Sequence, residues 1–540
     1  MGGKIKKMKN PFTTNTHSII GAAVILSAAS FASRLIGILR DHIFANLFGA
    51  GNVMDAYYAA FRVPDFIYNL LIVGALSAGF IPVFTKLLTK DKNEAWRATN
   101  SVINLLFLAL VVLCGILFIF TPEIIPRVVP GFDAEKMKLT AALTRVMLLS
   151  PIILGLSSVV SSVLQSFKNF LVFSLTPIMY NVGIIIGALF FVPVWGTMGL
   201  AYGVVLGALL HLIIQLPALI RLGYKYQNIW QWNNPAVKEI ALLMIPRALG
   251  LAVGQINLIV ITVMASTLSA GSVAVFNLAN NLQYFPIGII GVSFAIAAFP
   301  TLSQLSAENK KEEMIASLSH TIRQILFFII PLTIIFLLLR AQIVRVILGS
   351  GQFDWNDTIL TADTLAFFSF SLFAQSLIYL LARGFYALHN TWIPLWIGIV
   401  SALVNIAAGI YLKTELGVLG LALAFSLSAI LQMSMLWIAL RHKLGTLDET
   451  NILNSLYKIS VGAIAMALVI QLLKYPLASA VNMNKFWGIS TQGAVAGLAG
   501  LFIYGLICHL LRLEEVENFM MGVRRRMGLR DVRGEVEENK

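Results

Sequence analysis

Arg34, Gly37 and Asp41 recur at i, i+3 and i+7 in the stretch "SRLIGILRD", so a helix puts them on one face, with Arg40 about 100° round the axis. Asp55, Arg62 and Asn69 are again seven apart, forming a second polar stripe that continues to Ser77, and Pro64 is set to kink that helix. Arg247 follows Pro246, whose ring frees backbone carbonyls that a guanidinium can satisfy. Further on, "FNLANNLQY" carries Asn277, Asn280, Asn281, Gln283 and Tyr284, a neutral polar stripe. Arginines with a few aspartates and many amides suit a ligand that joins a phosphate or pyrophosphate to a sugar-like group. The planar guanidinium fork fits phosphate oxygens, and amides fit hydroxyls.

The elements that must position these groups are membrane helices. The chain has 540 residues, 58% hydrophobic and only 12% charged, and its apolar blocks run to about 20 residues, the length that crosses hydrocarbon as a helix. Fourteen such spans are expected, the first two near 18–48 and 55–88 and the last two near 452–475 and 487–511. An ionisable group inside one costs about 2.5 to more than 10 kcal/mol, so it faces a cavity or a partner. The net charge of +14 sits between the apolar blocks rather than in a basic domain, which argues against a nucleic-acid partner. Lys and Arg gather in alternate connections, from the arm with Lys4, Lys6, Lys7 and Lys9 to the tail "RRRMGLRDVR", which predicts cytoplasmic termini. The basic arm before an apolar run resembles a signal peptide, but the run is longer than a signal core and is expected to be retained. Cys114 and Cys508 lie in apolar blocks without metal-ligand spacing and read as packing residues. No cofactor, metal or catalytic residue is expected.

An internal repeat organises the spans. Arg34 and Gly37 match Arg247 and Gly250; "FRVPD" matches "FNLAN"; Pro82 matches Pro300; "QSF" ending at Phe167 matches "RGF" ending at Phe385; Pro177 matches Pro394; and "GTMGLA" matches "GVLGLA". Six spans per half give two lobes of like orientation related by an axis along the membrane normal, the architecture of an alternating-access transporter. The expected fold is thus an all-α polytopic membrane protein of 14 transmembrane helices, with two pseudo-symmetric six-helix lobes plus two C-terminal helices. Its parts are a basic arm (1–17), an N-lobe (18–224), a C-lobe (225–444), a C-terminal helix pair (445–512) and a charged tail (513–540). A simpler reading has Arg34 and Arg40 snorkelling to the interface and Asp41 and Asp55 capping helix ends beside "FGAGN". Arg145, Asp363 and Arg383 fall near span ends, where solvation accounts for them. Asn181, His211 and Asn405 read as interhelical hydrogen-bonding residues.

"SRLIGILRD", "FGAGNVMDAYYAAFRVPD", "GALSAGFIPVF" and "NNLQYFPIGIIGVSFAIAAFPTLS" together resemble the MurJ (MviN) family of lipid II flippases, within the multidrug, oligosaccharidyl-lipid and polysaccharide exporter superfamily. The resemblance implies a substrate of undecaprenyl-pyrophosphate-linked peptidoglycan precursor, carried from the inner to the outer leaflet of the bacterial cytoplasmic membrane. It also implies a cationic cavity and a groove for the lipid tail on the last two helices. Arg34, Arg40, Asp41 and Asp55 match the family's functionally important positions, and with Arg62, Asn69, Arg247 and Asn281 from the polar stripes they make up the expected substrate-binding set. Tyr68, Asn69 and Val73 stand where many members carry an arginine pair and a glutamate, and Asn281 and Tyr284 where they carry an arginine and a glutamate. A related polyprenyl-pyrophosphate glycan is therefore an alternative substrate, a cation-coupled multidrug exporter a further one, and an embedded glycosyltransferase lacks the acidic loop motifs it needs. Membrane potential or a coupling ion is the expected energy source, with Asn257 and Asn405 as candidate ion ligands.

Overall fold

The structure is a computed structural model that describes residues 19–72 and 75–517. The side chains of 19–27, 71, 72, 75, 77, 78, 245–247, 249 and 250 lie outside the description, so the expected roles of Ser77 and of the Arg247 guanidinium fall outside it too. The described residues are helical throughout and contain no strand. In chain order the helices are α1 (Ile19–Phe48), α2 (Asn52–Ala60), α3 (Arg62–Ile67), α4 (Ala75–Lys90), α5 (Lys92–Ile119), α6 (Thr121–Val128), α7 (Ala134–Met147), α8 (Leu149–Ser166), α9 (Phe170–Ile186), α10 (Val192–Trp195), α11 (Met198–Ile213) and α12 (Leu216–Arg221). They continue as α13 (Pro235–Ser266), α14 (Ser272–Pro286), α15 (Ser293–Ala307), α16 (Lys311–Leu338), α17 (Arg340–Ile347), α18 (Trp355–Ser369), α19 (Leu372–Ala387), α20 (Trp392–Leu416), α21 (Val418–Leu444), α22 (Glu449–Ala480) and α23 (Phe486–Leu510).

Among the described residues, ten helices are long and apolar enough to cross a membrane, or eleven if α18 and α19, bent by 46°, form one span. The second polar stripe does not lie on one smooth helix. It breaks at Phe61, restarts at Arg62, and passes through a π-helical turn at Tyr68–Ile72. A comparable π turn, Ile287–Val292, follows Pro286, and a third, Gly187–Phe191, joins α9 to α10. Each such turn lets one extra residue bulge from the helix, as happens often at functional sites.

Positions paired by the repeat share backbone conformation. Gly196 and Gly417 both adopt positive φ, 59° and 58°. The same turn geometry was therefore used twice.

The chain forms two compact units, one of residues up to Asn277 together with Ser350–Asp354, the other of Leu278–Gly349 and Trp355 onward. In the first, α9 packs on α1 and α11, and α8 packs on α4, α5 and α11. Phe80, Phe84, Trp96 and Phe167 join in stacked and tilted pairs in its core. The loop after α12 is strapped to α5, whose Asn100 accepts from the Tyr224 hydroxyl (2.6 Å) and whose Asn104 donates to the Ile229 carbonyl (2.9 Å). In the second unit, α20 packs on α21, α22 on α23, and α22 on α16.

Candidate functional site

Arg40 is the best-held arginine of the first unit. Its Nη2 and Nε donate to Asp41 Oδ1 at 2.8 and 3.0 Å, and its Nη1 donates to Asn181 Oδ1 on α9 at 3.0 Å. Although adjacent residues on a helix diverge by 100°, the long arginine stem wraps back to reach its neighbour's carboxylate. Asp41 is buried, 6% exposed. Asn181, expected to be an interhelical hydrogen-bonding residue, does join two helices and does so by orienting a cation. Its own amide donates to the Pro177 carbonyl at 3.0 Å. Arg34 lies on α1 seven residues before Asp41 and is half-buried.

Arg62 is held differently. Nε donates to Thr262 Oγ1 on α13 (2.7 Å) and Nη2 to Asn277 Oδ1 on α14 (2.6 Å). Both partners are neutral, and among the described residues Arg62 has no ion pair, so its charge is oriented by neutral groups. Asn277 belongs to the amide stripe read from the sequence, whereas Thr262 was not anticipated.

Asp55 is held by a lysine and a helix start rather than by an arginine. Its carboxylate is 1% exposed in side-chain terms and pairs with Lys136 Nζ at 2.6 Å. It also accepts from the backbone N–H groups of Gly271 (2.7 Å) and Ala274 (2.8 Å). These donors sit at the start of α14, where the helix leaves N–H groups unpaired and carries a partial positive charge. Asp55 therefore caps a helix, but one more than 200 residues away in sequence. Lys136 also donates to Asn52 (3.0 Å) and lies 4.0 Å from the Phe132 ring centroid. Sequence reading missed Lys136 because it precedes its span and resembles a solvated loop charge. The one signal was that a carboxylate buried in a span requires a cation.

Asn69 does not project toward a partner helix. It lies in the first π turn and its amide donates to the Asp65 carbonyl at 2.9 Å. Arg247 lies on α13. Asn281 lies on α14 beyond the point where the second unit begins and is part-buried. The remaining stripe residues of the second unit form a chain of neutral hydrogen bonds: Gln375 donates to Gln283 (2.9 Å) and to Ser371 (2.8 Å), Gln283 donates to Asn280 (3.0 Å), and Tyr284 meets Tyr379 (3.0 Å).

The first unit also has a cavity of about 150 Å³ among α3, α8, α9 and α11. Asp65, Tyr68, Ser150, Tyr180 and His211 bring polar groups to it. His211 Nδ1 meets Ser157 Oγ at 2.6 Å, an interhelical bond as expected, and Gln215 extends it to Ser161. Cys114 and Cys508 are buried and free. Asp363 pairs with Arg340 at 3.0 Å, and Arg145 lies over the Phe118 ring.

The family model described as "Lipid II flippase MurJ" matches residues 44–487. The chain belongs to the MurJ family. A probable lipid II flippase MurJ of Vibrio cholerae is 29% identical over 515 residues, covering 93% of this chain and 97% of the relative. A solved structure titled lipid II flippase MurJ, inward closed conformation, superposes with a TM-score of 0.77 at 26% identity and covers 90% of this chain and 98% of its own. The fold extends to an inward-facing multidrug-resistance transporter of the wider superfamily, with a TM-score of 0.67 at 18% identity over 79% of this chain and 99% of that one. The MurJ fold thus arranges this chain as an all-helical, multi-pass membrane transporter.

Proposed function

We propose that the protein flips lipid II, the undecaprenyl-pyrophosphate-linked peptidoglycan precursor, from the inner to the outer leaflet of the bacterial cytoplasmic membrane by alternating access. Membership of the MurJ family supports this, and one structural observation carries it. Arg62 is held by two neutral oxygens, so a full positive charge is positioned in an apolar helical unit without a bonded counter-anion. Such a charge is costly unless it serves an anionic ligand. Arg34, Arg40 and Arg62 take the pyrophosphate, Asp41 and Asn181 orient Arg40, and Asn69, Asn281 and Arg247 contribute to the rest of the headgroup. Asp55 supports the site from its position at the start of α14.

The fourteen-span plan is supported by the helical segments at α1, α2–α4 and α13, which add three to the eleven apolar spans. The matched turns support two six-helix lobes, at 18–224 and 225–444, followed by α22 and α23, on which the polyprenyl tail lies. The basic connections support cytoplasmic termini. Neutral Asn281 and Tyr284 on α14 favour, as the second reading, a related polyprenyl-pyrophosphate glycan. Depleting the protein and measuring lipid II at the outer leaflet tests the function: a fall is expected, and undiminished lipid II would overturn it.

A further inference from the structure

One carboxylate of the charged unit stands alone. Asp65 follows Arg62 by three residues on α3, but Arg62 turns away to Thr262 and Asn277. The Asp65 carboxylate makes no hydrogen bond and no ion pair among the described residues, and it lines the internal cavity. Of the other polar groups there, His211 is already engaged with Ser157 at 2.6 Å. The cations near Asp65 are Arg62, on its own helix, and Arg40, from α1. Asp41 also comes from α1 and Tyr58 from α2, beside the same arginines, while α7, α8 and α13 contribute the neutral Thr144, Ser150 and Thr262. Asp65 is therefore an unbonded anion beside the two arginines assigned to the pyrophosphate.

We propose that Asp65 takes up a proton when a pyrophosphate docks on Arg40 and Arg62, so that substrate binding and proton uptake are one event. The inference rests on the assignment of those arginines to the substrate. Before docking, Asp65 is the nearby counter-anion of Arg62. The incoming pyrophosphate adds negative charge and claims both cations, and a proton on the Asp65 carboxylate restores the balance of charge. The proton comes from bulk water or buffer through the cavity, converts carboxylate to carboxyl, and returns to solvent when the lipid leaves. A proton suits the site better than a metal ion. Hard cations take about six or more oxygens, whereas the one carboxylate at the cavity supplies two, and among the described residues no three His, Cys, Asp or Glu side chains cluster as a metal site.

The test uses the full-length protein in nanodiscs with undecaprenyl pyrophosphate as the probe. Infrared difference spectra of the unmodified protein should gain a protonated-carboxyl band when the probe is added; its absence overturns the proposal without any variant. Proton uptake per bound probe, read by a pH dye in weak buffer, should fall by about one proton in Asp65→Asn and in Asp65→Ser. Protons released by the probe itself are common to all variants and drop out of the difference. Probe affinity should weaken with rising pH by up to about tenfold per unit more steeply in the unmodified protein than in those variants. Equal uptake in all variants, loss of uptake in His211→Gln instead, or an Asp65-dependent response to sodium at fixed pH would each overturn the proposal. Failure of the parent assignment is distinguishable: Arg62→Gln would then bind the probe as tightly as the unmodified protein.

Discussion

The two compact units solve the problem of buried polarity in opposite ways. The first keeps full charges inside: Arg40 with Asp41, Lys136 with Asp55, and Arg62 and Asp65 unpaired. The second joins most of its helices with neutral groups, Gln283 to Gln375 to Ser371 and on to Ser426 (2.9 Å), places ion pairs such as Arg340–Asp363 and Arg441–Glu449 toward helix ends, and buries a pair, Arg323 of α16 with Glu515 (3.1 Å). Neutral bonds of this kind contribute about 0.6 kcal/mol each in membranes, enough to fix helix register without a desolvation penalty. Charges cost far more, and their greater number in the first unit fits the proposed handling of an ionic ligand there. The repeat sharpens the contrast, because Arg62 and Asp65 on α3 correspond to Asn277 and Asn280 on α14.

Four substitutions probe that contrast. Lys136→Met should have the largest effect, lowering unfolding free energy in detergent by about 3–5 kcal/mol because the buried Asp55 loses its cation. Adding Asp55→Asn should recover part of the loss, and calorimetry reads both. Arg62→Met should cut lipid II appearance at the outer leaflet at least 100-fold, about 2.7 kcal/mol in rate terms, with Arg62→Lys intermediate because an ammonium cannot fork between Thr262 and Asn277. Asn181→Ala should reduce the same transport roughly tenfold, about 1.4 kcal/mol, since Arg40 keeps Asp41 but loses its link to α9. Gln375→Leu in the neutral unit should cost about 1 kcal/mol of stability and leave transport within about twofold. If Gln375→Leu and Arg62→Met impaired transport equally, the assignment of ionic work to the first unit would be wrong.

Much of the fold was legible because hydrophobic length is a local signal. The expected spans at 391–412, 416–441 and 487–511 correspond to Trp392–Leu416, Val418–Leu444 and Phe486–Leu510. The repeat was legible for the same reason, down to the paired glycines at 196 and 417. Part of the site was legible too: Arg62 and Asn277 stood on the two polar stripes read from the sequence, and Arg40 and Asp41 stood in the stretch singled out there, although spacing set them 100° apart. What spacing could not supply was everything a bent helix or a distant partner decides. The wheel drawn through Asp55, Arg62 and Asn69 assumes an uninterrupted α-helix, and the π turn at Tyr68–Ile72 changes the register at the position where Asn69 sits. Lys136 and Thr262 are ordinary residues until tertiary packing brings them to Asp55 and Arg62.

The seam between α9 and α11 has a mechanical consequence. Gly183 faces Gly207 and the π-turn Gly187 faces Gly203, and a methyl on any of them would collide with the opposing backbone. Two rods in backbone contact along several turns cannot slide past one another or splay, so they behave as one stiff strut. Asn181 and Tyr180 ride on one rod and His211 on the other, which makes the Arg40 anchor and the walls of the Asp65 cavity parts of the same rigid body. Motion between conformations must then be taken up elsewhere, and a single added methylene such as Gly203→Ala would act as a wedge, shifting Asn181 from its arginine without touching any charged group.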